Sequence, residues 1–160
     1  MGPQISIYDS NNSQLFTTWD LNNIQSQQST DILTVYVWNN KLGEDPAKVS
    51  DLKNAYVTVV DENGETANSE VVKNKWVQVN VPNIDKDEST FFPIGGSTTR
   101  GIRGGGNLTE NTLKPADQAD NDKELSDRTC VCKLNFVIIP PPNSTPGEKR
   151  FKIRIGGWFS

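Results

Sequence analysis

The chain of 160 residues has a formal net charge of −4, from 16 basic and 20 acidic side chains, and it contains no histidine. A nearly balanced charge disfavours general binding to nucleic acids or anionic membranes, because both need a concentrated basic surface. The absence of histidine excludes serine and cysteine triads with an imidazole base, and it excludes most zinc sites.

The predicted elements of the first half are strands, because apolar and polar residues alternate and turn residues separate the runs. Asn63-Gly64 is a strong signal for a type I′ hairpin, and a turn or two of helix is expected for Leu21–Gln28. The expected extended segments, in chain order, are Ile5–Ile7, Leu15–Trp19, Asp31–Asn39, Ala55–Val60, Ala67–Lys73 and Trp76–Val81.

The segment 85–128 departs from this pattern, since it is rich in glycine and has little apolar periodicity. A long irregular segment inside a compact domain is usually functional or disordered. We predict a long loop whose glycines lie flat against a neighbouring subunit while its arginines reach an acidic partner. The predicted partner-binding residues are Arg100, Gly101, Ile102, Arg103 and Gly104.

Two other interpretations apply to this glycine-rich loop. A mobile loop without a partner is the simpler one. A phosphate cradle is disfavoured, because the Gly-Lys-Ser/Thr ending of a P-loop is missing and no helix is predicted to follow.

Regular alternation returns in Thr129–Ile139, which is ended by three prolines, and in Arg150–Ile155. About eight short strands with frequent turns and almost no helical signal favour an all-β fold. We therefore predict one antiparallel β-sandwich domain over residues 1–160, with segment 85–128 as a long Gly-rich loop insertion.

The two cysteines and the N-terminus bear on the cell compartment. In an extended strand, Cys130 and Cys132 would lie on the same face, which favours buried free thiols over a mutual disulfide. Two cysteines are too few for a disulfide-stapled secreted scaffold. The N-terminal sequence lacks the features of a signal peptide, so we expect synthesis in the host cytoplasm without general export.

The C-terminal strands carry a first resemblance. Leu134–Pro140, followed by Asn143–Glu148 and Phe151–Ile155, resembles the corner of bacterial Ig-like domains. In that family a strand ends at proline, a Pro-Gly turn crosses between the sheets, and the next strand begins with an aromatic residue. The resemblance implies an Ig-like sandwich, with Phe151 where the family often has tyrosine.

A second resemblance covers the central strands, Leu33–Asn40, Val49–Leu52, Val57–Gly64 and Trp76–Val79. This succession is similar to small virion proteins encoded in the structural clusters of phages that infect Gram-positive bacteria. The resemblance implies a non-enzymatic structural protein of the virion, serving as a capsid decoration, collar or tail accessory subunit. Its partners would be other virion structural proteins and copies of itself, without nucleic acid or membrane.

The main alternative is a carbohydrate-binding or adhesive module that uses Tyr36, Trp38 and Trp76. Trp38 and Trp76 stand opposite the valine faces of their strands, so they would share an outer surface if those faces are exposed. The competing interpretation places the tryptophans in the core, where tryptophan usually lies.

Acidic residues offer no clear site. Asp117, Asp120, Asp122 and Glu124 have the oxygen ligands that calcium prefers, but EF-hand spacing is missing, and a solvated loop is the expected structure. No carboxylate pair is marked as the acid and nucleophile of a glycoside hydrolase. We therefore predict no catalytic residue, no cofactor and no metal ligand.

Overall fold

A computed structural model describes residues 2–16, 19, 28–43, 45–64, 69–145 and 149–159. Within these ranges the strands are β1 (Ile5–Tyr8), β2 (Leu33–Asn39), β3 (Leu52–Asp61), β4 (Val77–Asn80), β5 (Phe92–Ile94), β6 (Arg100–Gly101), β7 (Thr112–Leu113), β8 (Val131–Ile138) and β9 (Phe151–Trp158). The helices are short: α1 (Glu70–Lys73), α2 (Pro82–Asp85) and 3-10 turns at Pro46–Lys48, Gln118–Asp120 and Leu125–Asp127.

The strands form two antiparallel sheets. The larger sheet has five strands in the order β1-β2-β8-β4-β5. The other is built on β3, which pairs with β9 along one edge and with β6 and then β7 along its opposite edge. Side chains from both sheets meet in one core, so the prediction of an all-β antiparallel sandwich is confirmed.

The core follows from the alternation in the sequence. Successive side chains of a strand point to opposite faces, and β-branched residues pack well on such a surface. The fully buried inward residues of β2, β3, β4 and β8 include Val35, Val37, Val57, Val59, Val77, Val79, Leu134 and Phe136. The Ig-like assignment stays a prediction, since residues 146–148 of the expected corner lie outside the described ranges.

The N-terminal half differs from the sequence prediction at two described places. The type I′ hairpin expected at Asn63-Gly64 is wrong: such a turn needs two positive φ angles, and Gly64 has one (+83°) but Asn63 does not. The preceding strand β3 pairs with β6, β7 and β9, and no hairpin partner follows the turn among the described residues.

The second difference is a helix. The strand expected over Ala67–Lys73 is wrong for its second half, where Glu70–Lys73 forms α1. The consecutive residues Val71 and Val72 of this turn are both buried, and the Asn74 amide donates to the Glu70 carbonyl at 2.9 Å, which closes one turn of helix. Most of Leu21–Gln28, part of Leu15–Trp19 and residues 67 and 68 lie outside the described residues.

The segment 85–128 is more regular than its glycine content predicts. It contains β5, β6 and β7, and the side chains of Ile94 and Ile102 are fully buried. Its backbone is hydrogen-bonded to distant residues: the Gly105 amide donates to the Arg128 carbonyl at 2.8 Å. This segment is therefore a packed part of the sandwich.

The two cysteines are free and buried, as predicted. Their expected position on one face is wrong. Cys132 belongs to the main core, whereas Cys130 precedes β8 in a turn and packs in a second cluster with Tyr8, Trp38 and Val131. The turn breaks the alternation on which the expectation depended.

Candidate docking surface

Large exposed apolar side chains occur at one end of the sandwich. Leu42, Trp158 and Phe159 are exposed to 90%, 57% and 56% of their area. Trp158 ends β9 opposite Lys53, and the Phe159 ring lies against Gly2. The turn that carries Leu42 is tied to the N-terminal segment, because the Asn40 amide donates to the Gln4 carbonyl at 2.8 Å. Two separate segments, the turn that carries Leu42 and the C-terminal residues, thus bring apolar side chains to the same end, and the N-terminal segment lies between them.

The last strand, β9, forms an edge of the smaller sheet. In the described part of the chain, β3 is the one strand that pairs with it. Its inward residues Phe151, Ile153 and Ile155 are only partly buried, whereas Val57 and Val59, opposite them on β3, are fully buried. The core is therefore incompletely covered along this edge.

The outward side chains of β9 are basic. Lys152 and Arg154 are exposed on the face opposite Ile153. The Arg154 guanidinium donates one hydrogen bond to the Gly64 carbonyl at 3.2 Å. Arg150, just before the strand, forms a long, exposed ion pair with Glu62 at 3.6 Å. Lys152 and Arg154 themselves therefore give the strand a positive outer face.

The residues predicted to bind a partner are instead engaged within the chain. Arg100 pairs with the buried carboxylate of Asp85, and its guanidinium lies over the Phe92 ring at 4.1 Å. Ile102 is fully buried. Arg103 donates to the Asn111 side-chain oxygen at 3.1 Å.

The glycines at positions 101 and 104 have close neighbours. A Cβ atom on Gly104 would lie 2.1 Å from the Thr129 carbonyl oxygen, a backbone atom that cannot turn aside. A Cβ atom on Gly101 would lie 2.2 Å from the side-chain nitrogen of Asn111, so that side chain would have to move. Real Cβ atoms do not approach other heavy atoms so closely. The glycines therefore lie against this chain's own residues.

The three aromatic residues of the carbohydrate alternative are not brought together. Trp38 and Trp76 are each 5% exposed and belong to different apolar clusters. The Trp38 indole nitrogen donates to the Asn12 side-chain oxygen at 2.6 Å. Tyr36 is half-buried and lines a groove on the outer face of the larger sheet. The structure thus gives these rings no common exposed platform.

The groove beside Tyr36 has a volume of about 480 Å³ and lies between α2 and the turn at Leu125–Asp127. An ion pair between Lys133 and Glu88 lies on its wall. Hydrogen bonding and attraction from the Lys133 ammonium lower the pKa of the Glu88 carboxyl. Two of the charged groups that line the groove therefore neutralise each other.

The acidic stretch is used for local turns. Asp117 accepts a hydrogen bond from the Ala119 amide at 3.1 Å, and Asp120 pairs with Lys123 at 3.0 Å. Among the residues that the structure describes, no three acidic or cysteine side chains cluster closely enough to hold a metal ion.

The buried thiols are expected to be chemically inert. Burial raises the pKa of Cys130 to about 11 and that of Cys132 to about 12. A thiol reacts as its thiolate, so Ellman's reagent at pH 8 should modify neither cysteine rapidly in the folded protein and both in denaturant. Rapid reaction of the native protein would contradict the burial of that thiol.

These raised pKa values also fix the direction of a pH effect. The unfolded chain releases thiol protons more readily than the folded one, so the stability from protonated thiols is present below the unfolded pKa. It is lost as the pH rises towards the folded values.

Comparison with protein-family models and with curated protein sequences identifies no relative. No protein-family model matches the chain, and no curated protein matches it in sequence. Across the described residues, none of the helices has the length and apolar character needed to cross a membrane.

Trp158 and Phe159 are not among the site residues predicted from the sequence, although they include the most exposed aromatic rings of the described chain. The available signal was their position after two glycines at the end of a strand with basic outward residues.

Proposed function

We propose that this chain is a non-enzymatic structural protein of a phage particle that docks onto other virion proteins as a decoration, collar or tail accessory subunit. The virion role is supported by the resemblance of the central strands to small phage virion proteins. Docking is supported by one observation above the others: Leu42, Trp158 and Phe159 are exposed at one end of the sandwich. Exposed apolar patches on soluble proteins commonly mark interaction sites.

The mechanism of docking is the burial of these apolar side chains against a complementary surface. Tryptophan and other aromatic residues carry a large share of the binding energy in many interfaces. A symmetric particle presents the same site many times, so modest affinity at each contact, including contacts between copies of this chain, multiplies across the lattice.

The test is incorporation into purified particles. Particles of the phage or prophage that encodes the chain are banded on a density gradient, and the chain is quantified against the major shell protein by mass spectrometry. We expect a constant ratio across the particle band. With Trp158 and Phe159 both replaced by serine, the ratio should fall about tenfold or more, since each buried aromatic anchor contributes substantially.

The matched control is Ile32→Ser, which removes another exposed apolar side chain, 56% exposed, next to the opposite end of β2. It should leave the ratio unchanged, and thermal unfolding should show that both variants fold. A wild-type chain missing from purified particles would contradict the virion role. Equal incorporation of the Trp158/Phe159 variant would contradict this docking surface.

A further inference from the structure

We propose that the outer edge of β9 accepts an extended protein strand in which apolar residues alternate with acidic ones. This inference deepens the proposed docking function and rests on it, since the strand would come from the docking partner. Strand addition to a sheet edge is a recurring mode of recognition, in which main-chain hydrogen bonds supply affinity and alternate side chains supply specificity.

The inward side chains of β9 are buried less completely than the side chains opposite them on β3. Ile153 and Ile155 are only partly covered, while their neighbours Val59 and Val57 on β3 have no exposed area. The two isoleucines and the two valines face the same core. The difference arises because β3 has neighbours along both edges, whereas in the described part of the chain β9 has one. A further strand beside β9 would place its own inward side chains over these isoleucines and complete the core.

The extent of the open edge is set by Trp19. Its ring packs edge-on against Phe151, with centroids 6.4 Å apart. The start of the strand is therefore already covered, and the accepting part runs from Lys152 to Gly156, before the positive φ of Gly157 (+152°) interrupts the extended backbone. About five residues are a usual length for a strand, so this edge is long enough for specific pairing.

The outward face of the accepting part is positively charged. The outward positions of the accepting part carry Lys152 and Arg154, both exposed. Opposite charges on directly facing positions of antiparallel strands stabilise the pair, and like charges destabilise it. An incoming strand with aspartate or glutamate on its outward face is therefore favoured over a neutral or basic strand.

The same charges disfavour a second copy of this chain as the occupant. Two-fold antiparallel pairing centred on Ile153 places Lys152 opposite Arg154 of the other copy. Pairing centred on Lys152 or on Arg154 places that residue opposite itself. Each of these three registers brings two basic side chains face to face, which is a common protection of edge strands against self-association. The register centred on Ile155 places Lys152 opposite Trp158 and Arg154 opposite Gly156 without such a pair, so sedimentation is the measurement that decides on a second copy.

The test uses a fluorescein-labelled peptide of eight residues that alternates valine with glutamate. Fluorescence anisotropy at low salt should show binding to the purified chain, and hydrogen exchange of residues 151–158 should slow when it binds. Reversal of both charges (Lys152→Glu with Arg154→Glu) should weaken binding about tenfold or more. The control Lys114→Glu changes an exposed lysine on the other side of β3 and should leave peptide binding unchanged.

Further probes separate strand addition from simple attraction. A peptide of the same sequence, N-methylated at alternate residues, cannot donate those main-chain hydrogen bonds and should not bind; equal binding would overturn the proposal. Failure of the unmodified peptide, with all β9 amides protected in the free protein, would show that the chain itself covers the edge. A dimer in sedimentation that the charge reversal abolishes would assign the edge to a second copy. Protection of the β9 edge in the free protein would overturn the proposal, and so would a dimer that depends on these charges.

Incorporation into particles distinguishes this inference from the proposed function. If the charge-reversed variant enters particles normally while the Trp158/Phe159 variant does not, the virion role stands and the strand site on β9 is wrong. If the peptide binds as expected but the chain is missing from particles, the strand site stands and the virion role is wrong.

Discussion

Replacing Gly104 by alanine is expected to destabilise the fold by about 3 kcal/mol or more. The added Cβ would lie 2.1 Å from the carbonyl oxygen and 2.6 Å from the carbonyl carbon of Thr129. Both are backbone atoms just before β8, so no side chain can turn aside. The two segments must separate, and the hydrogen bond from the Gly104 amide to the Thr112 carbonyl, 2.9 Å in the native fold, is strained or lost. Urea unfolding measures the loss.

The same substitution has a local result that proteolysis can detect. In the native protein Arg100 is held by Asp85 and Arg103 by Asn111, so trypsin should cut after them slowly. In the variant, cleavage at both positions should accelerate. Gly43→Ala is the control, since its φ of +82° is strained but nothing lies within 4 Å of the added atom. Gly43→Ala should lower the free energy of unfolding by about 1 kcal/mol, and it should not accelerate cleavage after Arg100 or Arg103. Wild-type stability of the Gly104 variant would contradict the packing of this segment.

The strands that the sequence predicts well are those with strict alternation. The segment Asp31–Asn39 contains β2, and Thr129–Ile139 contains β8, with differences of only a few residues. In each case one face carries valine, leucine or phenylalanine at every second position, and the structure buries that face. Period-two patterning is a local property, so one sequence is enough to recognise it.

The segment 85–128 could not be predicted in the same way, because glycine has two opposite uses. It gives freedom to a loop, and it allows two backbones to approach where no Cβ fits. Gly95, with a Cβ position 2.3 Å from the Val72 carbonyl oxygen, and Gly104 serve the second use. Composition does not distinguish these two uses of glycine, since the residue that the glycine contacts is distant in sequence.

The candidate site was missed for a related reason. The alternation in their strands predicts that Trp38 and Trp158 both lie on the outward face, yet Trp38 is 5% exposed and Trp158 is 57% exposed. Ala116 and Leu125, from a distant segment, pack against the cluster that contains Trp38. Among described residues, nothing comparable packs over Trp158. Whether an outer face is covered depends on tertiary contacts that the local pattern does not contain.

Asn39→Leu is expected to destabilise the protein by about 4 kcal/mol, a large part of the roughly 5–15 kcal/mol typical of a native fold. Asn39 has no exposed area. Its side-chain oxygen accepts from the Gln4 amide at 2.9 Å, and its side-chain nitrogen donates to the Ser50 and Leu113 carbonyls, each at 3.0 Å. Leucine has a similar volume but removes all three hydrogen bonds, and each hydrogen bond lost in this buried place costs about 1–1.5 kcal/mol.

The Asn39 contacts also hold the end of the sandwich where docking is proposed. The Gln4 amide that Asn39 binds lies two residues after Gly2, against which Phe159 packs. Hydrogen exchange of the Gln4 amide should therefore accelerate in Asn39→Leu by more than global unfolding explains. Asn107→Leu, at an exposed position, should change stability by no more than about 0.5 kcal/mol. If Asn39→Leu unfolds like this control, the three hydrogen bonds do not join the sheets, and the position of Phe159 must depend on its own packing.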